Sequence, residues 1–292
     1  MTEADDARRP GANAGAAGGK TILITGSTDG VGRHVAERLA AEGARVIIHG
    51  RDRARGQALV GGIAKRGGEA RFLRADLASV AEVRSLAQAV RGECDGLDCL
   101  VNNAGIGTSG DRRELSADGF ELRFAVNYLA GFLLTRLLLP LIEARAPSRI
   151  VNVSSLGQQP IDFSDVMLTH GYSGVRAYRQ SKLAQILFTI DLAGELKGRN
   201  VTVNALHPAT YMDTTMVRLS GNRPMSTVEE GGAAILQLIQ SSAPEGKSGL
   251  FFNGMRESRA DAQAYDPAAR KRLRALSFEL VGTADPAGMS PT

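Results

Sequence analysis

The chain has 292 residues, 43% of them hydrophobic and 23% charged, which sustains a core of ordinary size and excludes disorder of the whole chain. Its 35 basic and 31 acidic residues leave a net charge of +4, but they are dispersed, with no block of one sign to track a phosphate backbone, so nucleic-acid binding is not expected. The most apolar stretch, Leu129 to Ile142, is broken by Thr135 and Arg136 and falls short of the ~20 residues of a membrane span, so the chain is expected to be cytoplasmic and not membrane-bound.

The first residues, Met1 to Gly19, begin acidic and turn Ala/Gly-rich. They lack the charged start and apolar core of a signal peptide and read as a disordered tail, 1–19. From Lys20 onward, short β-branched runs alternate with segments of helical period, the pattern of an α/β protein whose mainly parallel sheet is covered on both faces. Seven strands are predicted: 21–24, 46–48, 71–73, 97–101, 149–153, 201–204 and 249–252. One domain, 20–282, accommodates them, since α/β proteins often place roughly 250 residues around one sheet. Among the helices, Val31 to Ala41 closes at Gly43, and Val80 to Val90 follows Ser79 as N-cap. Asp266-Pro267 opens a last helix that runs to about Leu280, with Gly282 just beyond; residues 283–292 read as a frayed end.

Directly after the first strand comes Thr25-Gly26-Ser27-Thr28-Asp29-Gly30-Val31-Gly32. Glycines there permit a sharp turn and bring backbone N–H groups to a pyrophosphate, whose charge meets the positive end of the following helix. The second strand ends in His49-Gly50-Arg51-Asp52, where a carboxylate would bond a ribose and a guanidinium a 2′-phosphate. Arg51 is a candidate for the second role or a solvated loop residue. Asp76-Leu77 after the third strand is either an adenine contact or a helix cap. Asn102-Asn103-Ala104-Gly105 follows the fourth strand, and Gly105 would permit close backbone approach. Cys94 and Cys99 are too widely spaced for a Cys-x-x-Cys pair and have no further thiols for zinc, so no metal is expected.

Asn127 lies inside a long apolar helix and needs a partner if buried. The fifth strand ends in Ser154-Ser155, which offers a hydroxyl at the carboxyl edge of the sheet. Tyr178 and Lys182, four apart, share a helical face with Cβ atoms about 6 Å apart. A nearby ammonium would favour the phenolate and lower a tyrosine pKa of about 10 toward neutrality. Two stretches, 157–174 and 211–225, resist assignment and are either substrate loops or surface insertions. A moderately apolar pocket from Leu156, Phe163, Met167, Leu168, Tyr211 and Met212 is expected, unless these residues only bury the loops.

Taken together, the turn at 25–32, Asn102 to Gly105 and Tyr178-x-x-x-Lys182 resemble the short-chain dehydrogenase/reductase family from about Lys20 to Gly282. The long Ser-to-Tyr spacing, Ser181 to Phe188 and the portion from Gly249 to Leu280 look most like its retinol-dehydrogenase-like branch, although the N-terminal anchor of many such relatives is not recognised here. The resemblance implies a doubly wound Rossmann fold and reversible hydride transfer between nicotinamide and a carbonyl or alcohol. It assigns Ser155, Tyr178 and Lys182 to catalysis, with Ser154 structural and Asn127 in a water-mediated relay reaching Lys182. Gly26 to Gly32, Arg51, Asp76, Leu77, Asn103, Ala104, Gly105, Tyr178, Lys182, Pro208 and Thr210 would bind the cofactor. Gly50 stands at the place of the NAD-selecting acid, which favours NADP, while Asp29 stands where many NADP-dependent relatives carry a base, which leaves NAD open. Ala209 replaces the family's glycine, and the carboxamide-binding threonine is Thr214 or Thr215. A lipophilic substrate and a homodimer or homotetramer, which the apolar helix permits, are expected; the alternative is a nucleotide-sensing or scaffold protein without turnover.

Overall fold

The computed structural model describes residues 15–240 and 247–285. Its centre is one sheet in the order β3-β2-β1-β4-β5-β6-β7-β8. The strands are β1 (Thr21–Ile24), β2 (Arg45–Gly50), β3 (Glu69–Arg74), β4 (Cys99–Asn102), β5 (Ser148–Val153), β6 (Val201–His207), β7 (Phe251–Asn253) and β8 (Arg256–Ser258). All neighbours pair in parallel except β7 and β8. The seven-stranded expectation is therefore corrected to eight. Arg256-Glu257-Ser258 has no apolar run to betray it and forms an edge only because the turn at Gly254 folds it back on β7.

Helices α1 (Gly30–Ala41), α2 (Arg53–Lys65) and α7 (Val228–Gln240) lie on one face of the sheet, and α3 (Val80–Glu93), α4 (Ala130–Glu143), α5 (Gly174–Glu195) and α8 (Pro267–Leu280) on the other. Two apolar cores result, because the central strands β1, β4 and β5 are buried on both sides, as parallel strands between helical layers must be. Ser79 caps α3 by accepting the Glu82 N–H. Asp266 caps α8, whose first residue is Pro267, where a missing N–H removes no helical hydrogen bond.

The helix before α4 is wider than expected. Phe124–Leu129 forms a π-helical turn in which the Ala130 N–H reaches back to Ala125 O. Together with α4 it makes the 20-residue span 124–143, long and apolar enough to cross a membrane by composition, yet 61% buried inside the fold. The break at Thr135 and Arg136 thus does not end the apolar helix. Arg136 is accommodated by Glu195, at 2.7 Å, and by the rings of Phe132, Phe188 and Phe278.

Gly15–Gly19, assigned above to a tail, belongs to the body: Ala17 is wholly buried, and Gly15 and Gly19 donate to Glu42 O and Gly43 O. At the other end Asp285 pairs with Arg274 at 2.6 Å, so the fold extends past the expected boundary at Gly282. The remaining tail residues, 1–14 and 286–292, lie outside the described residues.

Candidate active site

Parallel strands deliver their carboxyl ends to one edge, and the order reverses between β1 and β4, the place where open α/β sheets form a ligand crevice. The turn after β1 is held close against the loop after β4. Gly26 has φ 62°, and a Cβ on it would stand 2.7 Å from the Ala104 backbone. A Cβ on Gly32 would stand 2.5 Å from the Gly26 carbonyl and Asn103 Nδ2. Asn103 donates to Thr25 O (2.9 Å) and Gly26 O (3.0 Å), and Thr25 Oγ1 accepts the N–H groups of Asn103 and Ala104. Asp29 caps α1 by accepting the Gly30 N–H. The first helical bond runs from Arg33 N–H to Asp29 O, so the Val31 and Gly32 amides have no intrahelical acceptor and face an anion site at the positive helix end.

His49, not singled out above, proves central to this turn. Its Nδ1 accepts the Gly26 N–H at 3.1 Å, and its Nε2 lies 3.2 Å from Ala75 O. The ring thus joins the ends of β1, β2 and β3. Ser27 adds a second tie, its hydroxyl donating to Ile24 O and accepting the His49 N–H. Burial holds the imidazole at a pKa of about 4, so it is neutral. The only signal in the sequence was a polar residue inside an apolar strand.

Gly50 packs on Thr28, where a Cβ would meet side-chain atoms at 2.7 Å, so an acidic side chain at that position would be crowded out. Arg51 is exposed and has no hydrogen bond or ion pair among the described residues. Asp76 accepts the Ala78 N–H, and Leu77 is buried.

Tyr178 lies in the second turn of α5. Ser173 caps α5 one turn earlier, with its hydroxyl accepting the Arg176 N–H. Lys182 is buried; its Nζ donates to Val153 O (2.9 Å) and Gln185 Oε1 (3.1 Å) and stands 5.7 Å from the centre of the Tyr178 ring. Burial lowers its pKa to about 7. Ser155 is hydrogen-bonded to the Tyr178 phenol, and its Oγ accepts the Gly157 N–H at 2.9 Å. Ser154 instead donates to Lys182 O and ties the end of β5 to α5. The expected lowering of the phenol pKa is reversed: burial pushes Tyr178 up, opposed by the Ser155 hydrogen bond, and Lys182 is not among the causes.

Gly105 lies between the functional groups, since a Cβ there would be 3.2 Å from Asn127 Oδ1 and 3.5 Å from Lys182 Nζ. Asn127 is satisfied by Ile106, through its N–H and carbonyl, and by Ser181 Oγ, not by Lys182. The π-helical turn carries it inward, a distortion found often at functional sites.

Each unassigned stretch holds one non-glycine residue in the left-handed region, Leu168 (φ 49°) and Tyr211 (φ 45°), a conformation that costs energy and gathers at functional segments. The two are built differently. Residues 157–173 are tied down at several points, by Gln263 at Ile161, by Arg113 at Met167 O and by buried Arg123 at the Tyr172 hydroxyl, Arg123 also donating to Gly107 O and Ser109 O. Residues 211–226 form a loop carrying the short helix α6 (Thr215–Leu219), which has no buried residue. Most of the expected apolar pocket does not form: Leu168 is buried, Phe163 and Met167 pack against the core, and Met212 packs on Gly231 of α7. Leu156 and Tyr211 remain exposed. Pro208 is buried. Thr210 meets His207 Nε2, Thr214 caps α6, and Thr215 donates to Asp29 Oδ2.

Residues 20–223 match the short chain dehydrogenase family. The chain is 37% identical to human retinol dehydrogenase 14 over 94% of this chain and 90% of that protein. The chain belongs to the short-chain dehydrogenase family. A crystal structure of an uncharacterized protein from Mycobacterium paratuberculosis is similar at TM-score 0.76 and 31% identity, covering 92% of this chain and 96% of that one. The Pseudomonas aeruginosa RhlG/NADP active-site complex is similar at TM-score 0.67 and 28% identity, over 81% and 94% of the two chains.

This short-chain dehydrogenase is thus an NAD(P)-dependent oxidoreductase of CH–OH groups, with the doubly wound fold that the resemblance implied. Its own residues fit a dinucleotide: the Val31 and Gly32 amides have no intrahelical acceptor, Gly105 leaves space before Lys182 Nζ, and Arg51 has no hydrogen-bond or ion-pair partner among the described residues.

Proposed function

We propose that this dehydrogenase reduces a lipophilic ketone or aldehyde with NADPH. The observation that carries the reading is the Tyr178 phenol, brought against Ser155 beside Lys182 Nζ and with its pKa raised further by burial. A protonated phenol is a proton donor, which suits carbonyl reduction better than alcohol oxidation. In this reading the bound nicotinamide supplies the hydride to the carbonyl carbon. Ser155 holds the carbonyl oxygen, Tyr178 gives that oxygen its proton, and Lys182 holds the nicotinamide ribose through its Nζ. Asn127 keeps the loop at Ile106 and the face of α5 in register through Ser181.

The preference for NADPH is supported by Arg51, a guanidinium with no hydrogen-bond or ion-pair partner among the described residues, and by the crowding of Gly50 against Thr28. The similar RhlG structure was solved with NADP. A lipophilic substrate is suggested by exposed Leu156 and Tyr211 and by the likeness to retinol dehydrogenase 14.

The test is Tyr178→Phe with turnover and NADPH affinity measured in parallel over a panel of lipophilic ketones and aldehydes. Loss of the acid should lower kcat by about 10²–10⁴-fold and leave NADPH binding nearly unchanged. Retained turnover overturns the assignment of the proton donor.

A further inference from the structure

Asp29 poses an electrostatic puzzle. It stands at the mouth of an anion-binding turn, where a carboxylate repels what the turn attracts. Capping α1 does not require the charge, since Ser, Thr or Asn caps equally well. Nor does capping use the whole group: Oδ1 accepts the Gly30 N–H, while Oδ2 accepts the Thr215 hydroxyl at 2.7 Å and lies 3.6 Å from Arg55. The Thr215 bond is the leading reason that the Asp29 pKa is lowered.

Thr215 belongs to the 211–226 loop, whose base is closed by its own backbone. Met225 N–H donates to Tyr211 O, and Asp213 N–H donates to Ser226 O. Inside the loop, Arg218 makes a two-pronged pair with Asp213, and Thr214 caps α6. Among the described residues, the Thr215–Asp29 bond is the one hydrogen bond that ties the 211–226 loop to the rest of the protein. The remaining contacts are apolar: Thr214 Cγ2 lies against Gly30 and Met216 against Gly107. The loop therefore spans from the first βα turn to the segment after β4, across the crevice between them.

We propose that Asp29 is a positioning residue that latches the 211–226 loop over the coenzyme turn through Thr215, and so sets how fast the dinucleotide leaves. The part concerning the dinucleotide rests on the cofactor reading above. The latch is poised to yield because Asp29 is exposed, where one charge-assisted bond contributes only modestly.

Two variants test it. Thr215→Val removes the hydroxyl at constant shape, and Asp29→Ser keeps a capping oxygen for Gly30 while leaving none for Thr215. Amide hydrogen exchange at 213–225 is measured without cofactor, and NADPH release by stopped-flow fluorescence. Each variant should speed loop exchange about 5–10-fold, Thr215→Val, which leaves the charge unchanged, should speed NADPH release by a similar factor, and the double variant should exchange no faster than either alone. Unchanged exchange in the loop, or effects that simply multiply, overturns the latch. Should the protein bind no NADPH, the cofactor reading and its release step fall, whereas loop exchange still decides whether Asp29 and Thr215 hold the loop.

Discussion

At the scale of single residues, burial rather than neighbouring charge sets the chemistry of this site. Sequence spacing placed Lys182 beside Tyr178 and so anticipated a lowered phenol pKa; the fold removes both groups from water, which lowers the lysine to about 7 and raises the tyrosine. Desolvation penalises whichever form is charged, and it acts on both partners at once. His49 shows the same effect with a consequence for stability. Its folded pKa of about 4 lies below the ordinary value of 6.5, so the unfolded chain takes up a proton that the folded chain refuses. Stability from this group is complete above about pH 6.5, is lost as the pH falls, and reaches its full loss below about pH 4. At about 1.4 kcal/mol per pKa unit the loss is on the order of 3 kcal/mol. Urea unfolding of the wild type and of His49→Gln between pH 7 and pH 4 checks this: the variant, lacking the titration, should show the flatter dependence.

At the scale of elements, the two stretches without periodicity have different supports. The 157–173 segment was expected to shape the pocket, yet its apolar residues Phe163, Met167 and Leu168 turn into the core. Arg123 holds it from beneath, with Glu121 accepting the Tyr172 hydroxyl at 3.1 Å and the Phe124 N–H at 2.6 Å. Both charged side chains are almost fully enclosed. Arg123→Ala would leave Glu121 buried without its counter-charge, at a cost of about 3–5 kcal/mol. We expect a correspondingly lower urea midpoint, and limited proteolysis cutting first within 157–173. The same midpoint in variant and wild type would show that the segment does not depend on this ion pair. Neither the enclosure of Arg123 nor the π-helical turn at Asn127 was legible in the sequence, because both depend on which residues pack against that helix from distant parts of the chain.

At the scale of the whole molecule, the C-terminal helix completes the core instead of trailing from it. Arg274 on α8 pairs with Asp191 and Glu195 on α5, the Ser277 hydroxyl lies 2.6 Å from the Tyr128 hydroxyl, and Phe278 stacks edgewise on Phe132. The apolar helix is thereby covered, in large part, within one chain. Leu273, 1% exposed at the centre of α8, should cost about 2–5 kcal/mol when changed to Ala, seen as a lower denaturation midpoint; a change within error would mean that α8 is dispensable. Alternating apolar runs, the glycine turn, Ser79, Asp266-Pro267 and the spacing of Tyr178 to Lys182 determined the layered fold and the family from sequence alone, because each rests on contacts between near neighbours along the chain. Only the tertiary structure decided the eighth strand, the role of His49, the upward shift of the Tyr178 pKa and the tie between Asp29 and Thr215. These follow from desolvation and from contacts between residues far apart in sequence, and neither leaves a local pattern to read.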